Sequence, residues 1–155
     1  MARGFTLIEM VVTVAVVAIL VAISVPMVQI SLQRTKESEL RIALRQIREG
    51  IDTYKRLADE GRIARAVDSS GYPPTLDVLV RGLPDAKSAS SGLIFILRRI
   101  PRDPFNPVSG LSPEQGWGLR SYASSADAPS EGVDVFDIYS RALGVGLNGV
   151  PYREW

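Results

Sequence analysis

The order of apolar and polar positions divides the chain into three stretches. From Met10 to Gln33 no charged residue occurs, and Met10–Val28 is almost wholly apolar. A bilayer core of about 30 Å is crossed by about 20 helical residues, so this stretch is long enough to span one. Backbone groups in lipid are satisfied only within the segment, which predicts a helix despite the many Val and Ile residues. Pro26 lies near its outer end and removes one helical hydrogen bond, so a kink or local loosening is expected there. From Leu40 the pattern changes. Leu40, Leu44, Ile47, Ile51, Tyr54 and Ala58 recur at alternating four- and three-residue steps, an amphipathic helical stripe. Arg41, Arg45, Arg48, Glu49, Asp52, Lys55, Arg56 and Asp59 fall on other faces. Glu37–Arg41 and Asp52–Arg56 have the acid-to-base i,i+4 spacing of helical ion pairs, and Gly61 reads as a C-cap. One helix is therefore expected from about Phe5 to Glu60, bent near Pro26. The stripe covers too few heptads for a strong coiled coil, which favours packing on the chain's own domain over dimerisation.

Beyond this helix the signals shorten. Asp68–Pro74 is a turn-rich break. Thr75 reads as the N-cap of a short helix, Leu76–Arg81, closed by Gly82. Ala86–Gly92 reads as a loop, and Leu93–Leu97 is an apolar segment of either type. Pro101 and Pro104 enclose Arg102-Asp103, and the irregular stretch continues to Gly110. Two strands are expected, Gly118–Ser124 and Val133–Ser140, joined across a polar Ala126–Gly132 loop. The last residues, Leu147–Trp155, hold a turn and two aromatics. The fold class is α+β: a long N-terminal helix, membrane-spanning in its first half, packed on a small antiparallel sheet.

Composition narrows the function. The 155 residues suit one modest domain plus an extra element. A net charge of +1 gives no basic field for nucleic acid, and no aromatic-plus-basic stacking pattern is found. The chain has no cysteine and no histidine. Disulfides, thiolate metal sites and every Ser-His or Cys-His device are thereby excluded. An enzyme would rest on carboxylates such as Asp103, Asp127, Asp134 and Asp137, or on a Ser–Lys dyad. No motif marks such a set, Asp103 between prolines reads as a turn former, and there is no phosphate-binding loop. No catalytic residue is expected.

The apolar N-terminus admits three readings. One is a secretory signal peptide with Arg3 in front and Ala22-Ile23-Ser24 as a small-x-small cleavage site. The second is a plain signal anchor, and the third is a segment that needs Glu9. A carboxylate at the head of such a run costs on the order of a few kcal/mol if placed deep, and the first two readings have no use for it. It can also snorkel to the interface. Orientation stays open on local charge, because Arg3 lies on one side and Arg34 and Lys36 on the other.

Gly4-Phe5-Thr6-Leu7-Ile8-Glu9-Met10 resembles the prepilin-peptidase motif of type IV pilins and type II secretion pseudopilins. The resemblance implies a cut between Gly4 and Phe5 on the cytoplasmic side, with N-methylation of Phe5. Glu9 and Pro26 then take positions where that family has a near-invariant Glu and a common Pro. Four residues of helix separate Phe5 from Glu9, about 6 Å of rise. The Phe5 ammonium of an axially shifted neighbour can meet Glu9, the partnered state in which a buried charge is tolerable. The implied domains are a leader, 1–4; a transmembrane and assembly half-helix, 5–33; an amphipathic half, 34–61; and a C-terminal periplasmic α+β domain, 62–155.

Further along, Tyr72-Pro73 followed by Thr75, Ile100–Phe105 and Phe136–Ser140 resemble segments of the major pseudopilins, the G subunits of type II secretion systems. Adhesive type IV pilins usually carry a C-terminal disulfide loop, absent here, so a pilus pilin is the alternative. The resemblance implies an inner-membrane protein with a cytoplasmic N-terminus and a periplasmic filament. The implied partners are copies of itself, minor pseudopilins, prepilin peptidase and an assembly platform with a cytoplasmic ATPase. It also raises calcium. After the Tyr-Ser strand the family has a Gly- and Asp-rich calcium loop, whereas Arg141–Val150 here contains no acidic residue. Calcium takes about six to eight oxygens. Asp134, Asp137, Ser140 and Asn148 are the candidate donors, and Asp134 and Asp137 read equally well as solvent-facing or turn residues. The opposing reading has no cofactor, with Tyr152 and Trp155 packing the loop by apolar burial.

Overall fold

The computed structural model describes residues 6–66, 69–88, 92–106, 110 and 112–155, with the backbone alone at 23–26. It packs as two units, Met1–Lys36 and Glu37–Trp155. One helix, α1 (Leu7–Asp59), supplies residues to both. Its helical backbone continues through position 26, so Pro26 does not end it. In the first unit every described apolar side chain from Leu7 to Val21 is exposed, Leu7 at 83% and Leu20 at 59%. A helix apolar on all sides finds its solvent in a membrane or in other chains.

In the second unit the stripe is the core. Leu40, Leu44, Ile47, Ile51, Tyr54 and Ala58 are all buried, and Ala43 and Leu57 widen the contact. They join Leu76, Leu79, Ile100, Trp117, Val135 and Ile138 in a single cluster, so the stripe packs on the chain's own domain. α1 ends as its sequence asks. Gly61 takes φ 67, its amide bonds Ala58 O at 3.0 Å, and the Arg62 amide bonds Leu57 O at 2.9 Å. These are the two bonds of a Schellman cap, in which a residue without Cβ adopts the left-handed conformation.

The short helix is shorter than expected. α2 spans Val78–Arg81, with Asp77 rather than Thr75 at its N-cap. Leu76 and Leu79 are both buried, and the Leu79 amide bonds Leu76 O at 3.0 Å, so a tight turn precedes the helix. The ambiguous Leu93–Leu97 segment begins as a strand: β1 (Leu83–Pro84) pairs antiparallel with β2 (Leu93–Ile94). A second antiparallel pair joins β3 (Trp117–Arg120) to β4 (Asp137–Ser140), with Trp117 opposite Ser140 and Arg120 opposite Asp137. Among the described residues the strands form two small antiparallel sheets, where a single sheet was expected. Both expected longer strands are cut short by competing bonds. Tyr122 N donates to the Asp134 carboxylate at 2.9 Å, and Val135 N donates to Pro73 O at 2.8 Å. These donors are thereby taken out of the ladder.

Candidate functional site

At the head of α1, Thr6 and Glu9 hold each other. The Thr6 amide donates to Glu9 Oε2 at 3.4 Å, and the Glu9 amide donates to Thr6 Oγ1 at 3.3 Å. This is the reciprocal geometry of a capping box, which satisfies two amides that helix geometry leaves orphaned. The acidic group also lies at the positive end of the helix dipole. Glu9 is exposed, as are the apolar residues that follow it. Further along, Thr13 Oγ1 donates to Met10 O at 2.9 Å and Thr35 Oγ1 to Ser31 O at 3.1 Å, so these hydroxyls are satisfied on their own helix. Gly4 and Phe5 lie outside the described residues, and Pro26 is described by its backbone alone.

In the second unit, the C-terminal loop is tied to the first turn of that unit's helix. Glu37 is buried. Its Oε1 accepts from Leu147 N at 2.8 Å and from Tyr152 Oη at 3.1 Å. Tyr152 stacks on Phe105, with ring centroids 4.2 Å apart, and meets Trp155 edge-on at 5.2 Å. The Arg41 guanidinium lies 4.5 Å from the Trp155 ring centroid, a cation–π distance. The loop also holds itself: Gly146 N bonds Val150 O at 2.9 Å, Trp155 Nε1 bonds Val150 O at 3.2 Å, and Val145 bridges Pro151. Gly146 sits beneath Trp155, where a Cβ would strike the ring.

The four candidate calcium donors serve separate networks. Asp134, buried rather than solvent-facing, accepts from Ser121 Oγ at 2.6 Å, from the Tyr122 amide at 2.9 Å and from Ser70 Oγ. Burial pushes its carboxyl up. The bonds from Ser121, Ser70 and the Tyr122 amide outweigh that, so the carboxyl is held below its ordinary value. Asp137 is half-buried and accepts from Arg48 Nε at 2.7 Å; Arg48 also reaches Ile138 O at 3.1 Å. Ser140 Oγ donates to the buried Asp103 at 2.5 Å, while Asp103 also accepts from the Phe105 amide at 2.8 Å, the turn its prolines suggested. Asn148 Oδ1 accepts from Val150 N at 3.2 Å. Among the described residues no three Asp or Glu side chains gather as a metal site.

Two comparisons bear on this geometry. The family described as the prokaryotic N-terminal methylation motif matches residues 1–25, the segment that carries Glu9 and the start of the apolar run. Over 138 residues the chain is 30% identical to the type II secretion system core protein G of Pseudomonas aeruginosa, covering 84% of this chain and 88% of that protein. The chain belongs to the family of that core protein, the major pseudopilins. No solved structure matches it at a significant level.

Read as a pseudopilin, the chain has two further residues of interest. Thr6 carried a signal of its own, the Thr-x-x-Glu spacing of a capping box. Glu37 carried none. In sequence it is one more charge on a helix, and its spacing to Arg41 suggested an exposed ion pair. Its observed partner Leu147 lies 110 residues away. Farther along the same helix, Lys55 and Asp59 form an i,i+4 pair at 2.7 Å.

Proposed function

We propose that this pseudopilin is the structural subunit of a type II secretion pseudopilus, anchored in the inner membrane until it is drawn into a periplasmic filament. The leader is cut after Gly4, Phe5 is N-methylated, and the freed ammonium of one subunit meets Glu9 of another. An assembly platform with a cytoplasmic ATPase extracts the subunits, and the growing filament moves folded cargo outward. Pro26 accommodates the packing of neighbouring helices. No step assigns catalysis to this chain. The observation that carries the reading is an all-round exposed apolar helix headed by a single carboxylate, in a chain related to core protein G over most of its length. We infer further that the C-terminal loop is closed by Glu37, Tyr152 and Trp155, without calcium.

The test is overproduction of the full chain beside its platform genes, with negative-stain imaging and a secretion assay. Short filaments and restored export in a strain lacking core protein G are expected. Glu9→Leu is expected to insert in the membrane normally yet yield few filaments. Filaments of normal yield from Glu9→Leu would overturn the pairing, and surface fibres without restored export would favour the pilus pilin. Calcium titration with thermal melting tests the loop, where a calcium-dependent rise in Tm would overturn closure without metal.

A further inference from the structure

The C-terminal loop that Glu37 bonds contains a tight hairpin. Gly146 N bonds Val150 O at 2.9 Å, Gly149 N bonds Gly146 O at 2.9 Å, and Gly149 takes φ 81. Residues 147–149 thus form a three-residue hairpin loop, a turn closed by an i,i+3 bond with glycine in the left-handed conformation. Asn and Gly suit these places, so turn chemistry accounts for Asn148 standing before Gly149. The same pair carries a reactivity that the turn does not need. An asparagine carboxamide is open to attack by the backbone nitrogen of the next residue, and a glycine, without Cβ, shields that nitrogen least. The chain's other asparagine, Asn106, precedes Pro107, whose nitrogen has no hydrogen to lose. In the closed hairpin neither reactant is free. Gly149 N, the nucleophile, is held by Gly146 O. Asn148 Oδ1 accepts from Val150 N at 3.2 Å, and the carboxamide lies over Gly146, where a Cβ would strike its oxygen. Asn148 is nonetheless exposed, so water and base reach it. A carboxylate outside the hairpin ties the turn to the helix: Glu37 Oε1 accepts from Leu147 N, within the turn, and from Tyr152 Oη.

We propose that Asn148 is a deamidation site gated by Glu37. Surface segments open locally without global unfolding. When the Glu37 bonds open, the Gly149 nitrogen leaves Gly146 O and attacks Cγ of Asn148. The proton on that nitrogen goes to a base from solvent, the new N–C bond closes a five-membered succinimide, and the carboxamide nitrogen departs as ammonia. Water then opens the ring to aspartate or isoaspartate at position 148. Water and base are the only co-reactants. Either product puts a carboxylate into 142–150, a stretch that has none. Isoaspartate also adds a methylene to the backbone of a turn whose i,i+3 bond depends on its length. The change therefore runs one way: a closed loop stays neutral, and a modified loop does not return to the same closure.

The tryptic peptide 142–153 isolates the site, because Asn148 is its only side-chain amide. Its deamidation is read by mass, and isoaspartate by labelling with an isoaspartyl methyltransferase. Full-length wild type, Tyr152→Phe and Glu37→Leu are incubated in detergent in mildly alkaline buffer, each beside a sample denatured in guanidinium. Wild type should deamidate several-fold more slowly folded than denatured. Tyr152→Phe and then Glu37→Leu should recover increasing shares of that difference. Thermal melting establishes which variants are folded at the incubation temperature. If Glu37→Leu is not, Tyr152→Phe decides alone, since its ring still meets Phe105 and Trp155. Folded wild type reacting as fast as the denatured sample overturns the protection. Folded variants that react no faster than wild type overturn the gate. A site inert even when denatured overturns the proposal altogether.

Discussion

The two halves of α1 dispose of their apolar side chains in opposite ways. Between Leu7 and Val21 the apolar residues surround the helix, and none is buried. Between Leu40 and Ala58 all but Ile42, which is exposed, fall on one stripe, and that stripe is the core of the second unit. The difference lies in what separates them. In the second half, charges on the other faces leave one way to hide the stripe, against the chain's own sheets and loops. In the first half no face is polar, so no fold of this chain alone can satisfy it. The hydrophobic effect then acts between the chain and its surroundings, lipid or neighbouring helices. One half specifies a fold and the other specifies an environment.

The strongest way to break this comparison is to cut between the halves. A fragment lacking residues 1–28 should fold and unfold cooperatively in urea, because its core is self-contained, and should form no filaments. A fragment that still polymerises, or that fails to fold, would show that the halves are not so divided. The next effect is confined to the second half. Trp117 is wholly buried and donates Nε1–H to Pro101 O at 2.9 Å. Trp117→Ala should lower the fragment's stability by about 3–5 kcal/mol, read as a fall in the urea midpoint. An apolar truncation in the first half, Leu20→Ala, should leave the urea midpoint of the full chain in detergent unchanged, because Leu20 is exposed.

A smaller effect is polar and depends on pH. Asp134 is buried among the donors Ser70, Ser121 and Tyr122 N, and its carboxyl is held below the ordinary value. A group whose pKa is depressed by folding adds stability above its unfolded value, and that stability is lost as pH falls through the folded one. Asp134→Asn should therefore destabilise the fragment by about 1–2 kcal/mol at neutral pH, and the gap between the two proteins should close in acid. A gap independent of pH would mean that the carboxylate's charge is not what matters.

The parts legible in sequence were those governed by local periodicity. The uncharged run, the four-three stripe, Gly61 as a cap and Glu9 as the misplaced charge all rest on neighbours within a turn or two of helix. The same holds for Asp103, whose place between prolines announced its turn. What stayed hidden depends on partners far along the chain. β3 stops at Arg120 because the amide of Tyr122 goes to Asp134, and no pattern around residue 122 announces that. Glu37 looked like a solvated charge because its partners, Leu147 and Tyr152, come from the other end of the sequence. Arg48 likewise belongs to the charged face by periodicity, yet it folds onto Asp137 and Ile138 O. The departure of 141–150 from a calcium loop was visible as missing acids. What bonds that loop to the rest of the domain was only half visible, as two aromatics, while the buried carboxylate of Glu37 was not.

That carboxylate supports the smallest and most discriminating change. Tyr152→Phe removes one hydroxyl and leaves the ring to stack on Phe105 and meet Trp155. Glu37 keeps the Leu147 amide, and losing the hydrogen bond from Tyr152 Oη costs about 0.5–1.5 kcal/mol. The expected signature is local: amide exchange should quicken across residues 143–150 while the Leu40–Ala58 stripe stays protected, as for a subunit region that opens without global unfolding. Glu37→Leu removes both bonds and should free the loop further, by more than Tyr152→Phe and in the same residues. If instead both variants loosened the stripe equally, the loop would be part of the core rather than a surface fastened to it. The second half of α1 would then be specifying more of the molecule than its periodicity records.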